Sequence, residues 1–183
     1  MGDINQPQIK IFSGKMIKKL DVIEKKINFY NNCGLKIHEF CPEKESSEYH
    51  AHTFTLQDKK VLFRIAKKTP TKTGYFVTIW KRGTDSIIAP YNDSDPVDFV
   101  VVVVSDDNHN LGEFIFPKSI LLEKGIFSTK TKEGKRAIRV YAPWDTPTSV
   151  QATKTQKWQN LFFVDISSFE DKSFFKTKNL FSI

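Results

Sequence analysis

Residues Lys59 to Arg82 read KKVLFRIAKKTPTKTGYFVTIWKR and carry eight Lys and Arg side chains with no acid. Two stretches alternate on either side of a basic loop, which predicts two strands joined as a hairpin. In the first, Val61, Phe63 and Ile65 fall on one face and Leu62, Arg64 and Ala66 on the other. In the second, Tyr75, Val77 and Ile79 oppose Phe76, Thr78, Trp80 and Arg82. If the two apolar sets share a core, Arg64, Trp80 and Arg82 share the outer face, where a guanidinium beside an indole suits stacking on a base. The other reading buries the same face under a second layer, with Arg64 paired to a carboxylate.

Working outward, 183 residues with 39% hydrophobic and 13% aromatic content describe a folded chain with a substantial core. One domain is expected over 13–166, with an arm at 1–12 and an aromatic, basic extension at 167–183. The net charge is +7. Its distribution says more than its total. Residues 83–117 hold seven acids and no Lys or Arg, and basic residues return nine to three between Lys118 and Lys157. Such blocks predict separate surfaces of opposite sign. The longest apolar run, FVVVVV, is far too short to span a bilayer. The amino-terminal stretch has no apolar segment of the secretory kind. Cys33 and Cys41 lack any paired spacing, which suits a reducing cytoplasm.

Met16, Leu20, Ile23, Ile27 and Tyr30 recur every three or four residues, so an amphipathic helix is expected over 14–30, capped by Ser13, with Lys18, Lys19, Lys25 and Lys26 solvated. Asp98 opens a β-branched strand that is apolar on both faces and therefore central. LGEFIF is its neighbour, and Pro117 starts a short helix ended by Gly125. AIRVYAP is a further strand and SVQATKTQKWQ a helix introduced by Pro147 and Thr148. NLFFVDI either extends that helix or forms a last strand. Strands in meanders with helices at both ends predict a single-domain α+β fold. Its strongly curved, mixed and mainly antiparallel central sheet is expected to hold 59–67, 75–81, 98–104, 112–116 and 136–141.

Four ordered blocks resemble the MepB family of small bacterial proteins. They are Phe63-Arg64-x-Ala66-Lys67-Lys68-Thr69-Pro70-Thr71-Lys72-x-Gly74-Tyr75-Phe76 with Trp80, then Gly112-x-Phe114-x-Phe116-Pro117-Lys118. Gly134-Lys135-Arg136-x-x-Arg139-x-Tyr141-x-Pro143-Trp144 and Thr155-Gln156-x-Trp158-Gln159 follow. The likeness spans roughly residues 15–166. It implies an α+β domain of a nucleic-acid-processing kind, either restriction-endonuclease-like or like a DNA-binding pseudobarrel. It brings no established catalytic residues.

The residues point first to binding of DNA or RNA without chemistry. The expected contacts are Arg64, Lys67, Lys68, Thr69, Thr71, Lys72, Trp80, Arg82, Lys118, Lys135, Arg136, Arg139 and Gln156, a set rich in phosphate, base-edge and stacking groups. Gln151, Thr155 and Gln159 repeat four apart on one helix face, with Gln156 beside them. These glutamines serve either a base edge or the protein's own loops. No cofactor is implied by this reading.

A metal-dependent nuclease is the alternative, with Mg²⁺ held by two carboxylates and a Lys orienting water. Asp93, Asp95, Asp98 and Glu113 supply acids. Asp58-Lys59-Lys60 and Glu133-Gly134-Lys135 supply the charged triplet, but at strand edges. A third class is a protein-interaction module using the acidic block and the aromatic tail. Zinc on Cys33, His38, Cys41, His50 and His52 lacks finger spacing.

Overall fold

The computed structural model describes residues 14–83 and 85–182 and, in its first helix, the side chains from Val22 onward. Helix α1 (Gly14–Asn32) ends before Gly34, whose φ of +74° is a conformation that favours glycine. Strands β1 (Ile37–Pro42), β2 (His52–Leu56) and β3 (Lys59–Ile65) form an antiparallel meander. Next come β4 (Lys67–Thr69), β5 (Lys72–Thr78) and the short pair β6 (Lys81–Arg82) and β7 (Ile88–Ala89). Strands β8 (Phe99–Ser105) and β9 (Leu111–Pro117) make a hairpin, and α2 (Lys118–Glu123) follows directly. The chain closes with β10 (Ala137–Val140), α3 (Val150–Gln159), β11 (Phe163–Asp165) and α4 (Asp171–Phe181).

The fold is α+β, with a mixed, mainly antiparallel sheet and helices at both ends. The main sheet runs β1-β2-β3-β8-β9-β11. Among the described residues its only parallel neighbours are β3 and β8, and the valine-rich β8 is central as its composition requires. A smaller sheet runs β10-β5-β4 and packs over one face of the main sheet. That face contributes Leu62, Val100, Val102, Val104, Phe114 and Phe116, which meet Tyr75, Val77, Ile79, Ile138 and Val140. The opposite face contributes Val61, Phe63, Ile65, Val101, Val103 and Ile115, covered by Phe29 and Tyr30 of α1 and Phe181 of α4.

The segment 59–82 is therefore not one hairpin, and the expected single central sheet is divided. Strand β3 belongs to the main sheet and β5 to the small one, so Val61, Phe63 and Ile65 do not share a core with Tyr75, Val77 and Ile79. The chain crosses between sheets at Ala66, whose N–H still donates to Val103. With both faces of β3 covered, Arg64 is wholly buried, as the two-layer reading has it.

The amino-terminal reading needs a second correction. Lys26 is 1% exposed rather than solvated, because it faces the sheet and ion-pairs with buried Glu113 of β9. Burial pulls its pKa below the ordinary lysine value, against the opposing pull of Glu113. Ser13 and the side chains of Met16, Lys18, Lys19 and Leu20 lie outside the described residues. NLFFVDI resolves into a 3₁₀ turn and then β11, which pairs with β9 at the sheet edge. Among the described residues, no helix is long and apolar enough to cross a membrane.

Candidate nucleic-acid interface

Three elements meet around an open concavity of about 470 Å³. The turn between β4 and β5 contributes Thr71, Lys72 and Thr73. The strand β10 and its flanks contribute Lys135, Arg139 and Tyr141. The first turns of α3 contribute Ser149, Gln151, Ala152 and Thr155, preceded by Pro147 and Thr148. Among the described residues, Lys72, Lys135 and Arg139 are its charged residues, and no acid lines it.

The turn is held rather than loose. Arg139 spends its guanidinium on it. Nη1 donates to the carbonyls of Lys72, Thr73 and Gly74 at 3.4, 3.2 and 3.1 Å, and Nη2 donates to Thr69 Oγ1 at 3.1 Å. Gly74 has a φ of +81°, and a Cβ there would stand 2.7 Å from both the Tyr141 ring and the Val140 carbonyl. Only glycine lets the turn close this tightly on β10. On the other wall, Ser149 caps α3 by accepting the Ala152 N–H at 3.1 Å. Gln159 ties the helix to β10: its Oε1 accepts the Tyr141 N–H and its Nε2 donates to the Arg139 carbonyl. The first-turn N–H groups of α3 that carry no helical bond give this wall a positive character.

Of the residues expected to touch nucleic acid, the structure gathers Thr71, Lys72, Lys135 and Arg139 here, with Thr69 behind them. The rest are placed elsewhere. Arg64 is buried, its Nη1 2.5 Å from Glu43 Oε2. The Lys67 ammonium lies 4.7 Å above the Tyr49 ring and that of Lys68 5.6 Å from the Tyr75 ring. Arg82 does sit over Trp80, at 5.6 Å, but it is also paired with Glu45 and bonded to the Ser86 carbonyl. Lys118 donates to the Asp95 carbonyl, which fixes the loop before β8. Arg136 pairs with Glu133, and Gln156 donates to the carbonyls of Ala142 and Asp145. Thr73, Tyr141 and the residues from Pro147 to Thr155 that line the concavity are not among the expected contacts. Pro147 ahead of a Ser cap was the available signal for the helix start, but nothing in it pointed to β10.

Five of the six acids of the nuclease reading are engaged by neighbouring groups. Asp95 pairs with Lys81 and accepts the Asn92 N–H. Asp98 accepts the Lys60 N–H at 2.8 Å, Glu113 holds Lys26, and Asp58 and Glu133 pair with Lys59 and Arg136. Lys118 stands beside Asp98 in the fold, its N–H donating to the Asp98 carbonyl. Two residues before it, where an E-x-K motif has its acid, is buried Phe116. Among the described residues no three His, Cys, Asp or Glu side chains gather as a metal site.

The MepB-like family model matches residues 43–165. A solved structure titled "Crystal Structure of MepB" is 33% identical, with a TM-score of 0.69 over 85% of this chain and 97% of that one. A bacterial homing endonuclease, I-Ssp6803I, is 14% identical, with a TM-score of 0.45 over 80% of this chain and 91% of that one. No curated protein matches the chain.

Proposed function

The chain belongs to the MepB-like family, and on that premise we propose that it binds nucleic acid without chemistry, through the β4–β5 turn, the basic strand β10 and the start of α3. The observation that carries this reading is the convergence of Lys72, Lys135 and Arg139 on one concavity that, among the described residues, no acid lines. Phosphate is matched by cations, hydroxyls and first-turn amides together. Arg139 acts mainly by holding the turn. Lys72 and Lys135 are exposed and supply the mobile charge.

A gel shift against single- and double-stranded DNA and RNA at several salt concentrations tests the proposal. Affinity is expected to fall steeply with salt. Lys72→Ala and Lys135→Ala should each weaken all sequences alike and reduce the salt slope by about one unit. Normal binding by the folded double variant at every salt concentration would remove the concavity from the interface. With Mg²⁺ present the nucleic acid is expected to stay intact, since Asp58, Asp95, Asp98, Glu113 and Glu133 are held by lysines, an arginine and backbone amides.

A further inference from the structure

Building on the nucleic-acid reading, we propose that the partner is duplex DNA entered through its major groove, with α3 as the reading helix and Gln151 as the side chain that selects bases. Two of the three glutamines of α3 are used inside the protein. Gln156 holds the carbonyls of Ala142 and Asp145, and Gln159 holds the backbone of Arg139 and Tyr141. Gln151 is exposed at the rim of the basic concavity, and its side-chain amide makes no hydrogen bond to any described residue. At about 100° per residue, Gln151 and Thr155 fall between two flanks of the helix. Lys72 and Lys135 stand across the concavity on one side, and exposed Lys154 and Lys157 on the other.

A strip of uncharged hydrogen-bonding side chains bordered by cations matches a groove bordered by two phosphate ridges. The helix sequence VQATKTQKWQ contains no acid to oppose it. The B-form major groove, about 12 Å wide, admits an α-helix, whereas that of A-form RNA is too narrow to be read by side chains. An amide presents a donor beside an acceptor, which pairs with adenine N6 and N7. Val150, 72% exposed in the first turn, offers apolar contact to a thymine methyl. The three tryptophans, strong stacking platforms for a single strand, are engaged elsewhere. Trp158 packs on Phe116 and Phe162, Trp144 on Phe163, and Trp80 lies under Arg82.

The test is selection from a randomised duplex DNA library with the full chain and with Gln151→Ala, whose fold is checked by melting. The wild type should enrich a motif containing an A·T pair. The variant should lose preference at that pair by on the order of 10- to 100-fold and keep the same salt slope. An RNA duplex of the enriched sequence should bind more weakly. No enrichment, the same enrichment in the variant, or equal affinity for the RNA duplex would each overturn the proposal while leaving salt-dependent binding through Lys72 and Lys135 standing. Absence of salt-dependent binding to any nucleic acid overturns both readings.

Discussion

Arg64 illustrates how little a residue's type says about its place. It sits at 0% exposure on the core-facing side of β3, in line with Leu62. Its charge is met by Glu43, whose other oxygen accepts the Tyr91 hydroxyl at 3.3 Å. Burial, reinforced by Glu43, drives the Tyr91 pKa up, so the phenol stays protonated and keeps donating. A buried pair adds little over an apolar substitute, but removing one partner strands the other charge. Glu43→Ala is therefore expected to cost about 3–5 kcal/mol, and adding Arg64→Met should restore much of the loss. Urea denaturation of both variants measures this. A Glu43→Ala protein within about 0.5 kcal/mol of wild type would mean that the pair is not structural.

At the scale of elements, the β4–β5 turn and α3 form one unit because Arg139 of β10 ties to both. One side of the strand binds the turn through the Arg139 guanidinium, and the Arg139 carbonyl binds the helix through Gln159. Arg139→Lys preserves the charge but not the fork that reaches three carbonyls and a hydroxyl. Amide exchange across 70–74 should then quicken and affinity fall while the salt slope stays near that of wild type. A loss of slope without faster exchange would instead make Arg139 a direct phosphate contact. Much of this unit was legible in the sequence. Lysines around Pro70 and Gly74 read as a basic turn, and the β-branched run at β8 and the Pro117 corner read as they fold. The crossing at Ala66 was not legible, because covering both faces of β3 erases the alternation that assigns a face. Nor was the burial of Lys26. Lys26 looks solvated until its partner 87 residues away is brought to it, and for Arg64 the sequence leaves burial beside a carboxylate as one of two readings without naming Glu43, 21 residues away. The helix α3 and the face of Gln151 and Thr155 were legible too, but not that this face stands opposite the β4–β5 turn, because nothing in the sequence places α3 against β10.

Across the whole molecule, the main sheet is a wall between two cores, and the concavity lies on the side of the small sheet. The far side is closed by α1 and α4. Phe181 of α4 is fully buried, 4.9 Å from the Phe99 ring and 5.8 Å from that of Tyr30, and Thr177 and Ser173 are buried with it. The family match ends at residue 165, before this helix. Removing residues 167–183 should therefore uncover Phe99 and Tyr30 and weaken the packing of α1, with no atom of the concavity touched. Phe181→Ala alone is expected to cost about 3–5 kcal/mol, and the truncated chain at least as much, with increased binding of a hydrophobic dye. Where enough native protein remains at low temperature, the salt slope for nucleic acid should match that of the full chain, because Lys72, Lys135 and Arg139 stand on the other side of the sheet. A truncated chain that melts with the full-length protein would show that residues 13–166 fold without the tail. A truncated chain that stays folded but loses salt-dependent binding would place part of the interface on α4, where Lys172 and Lys178 are exposed.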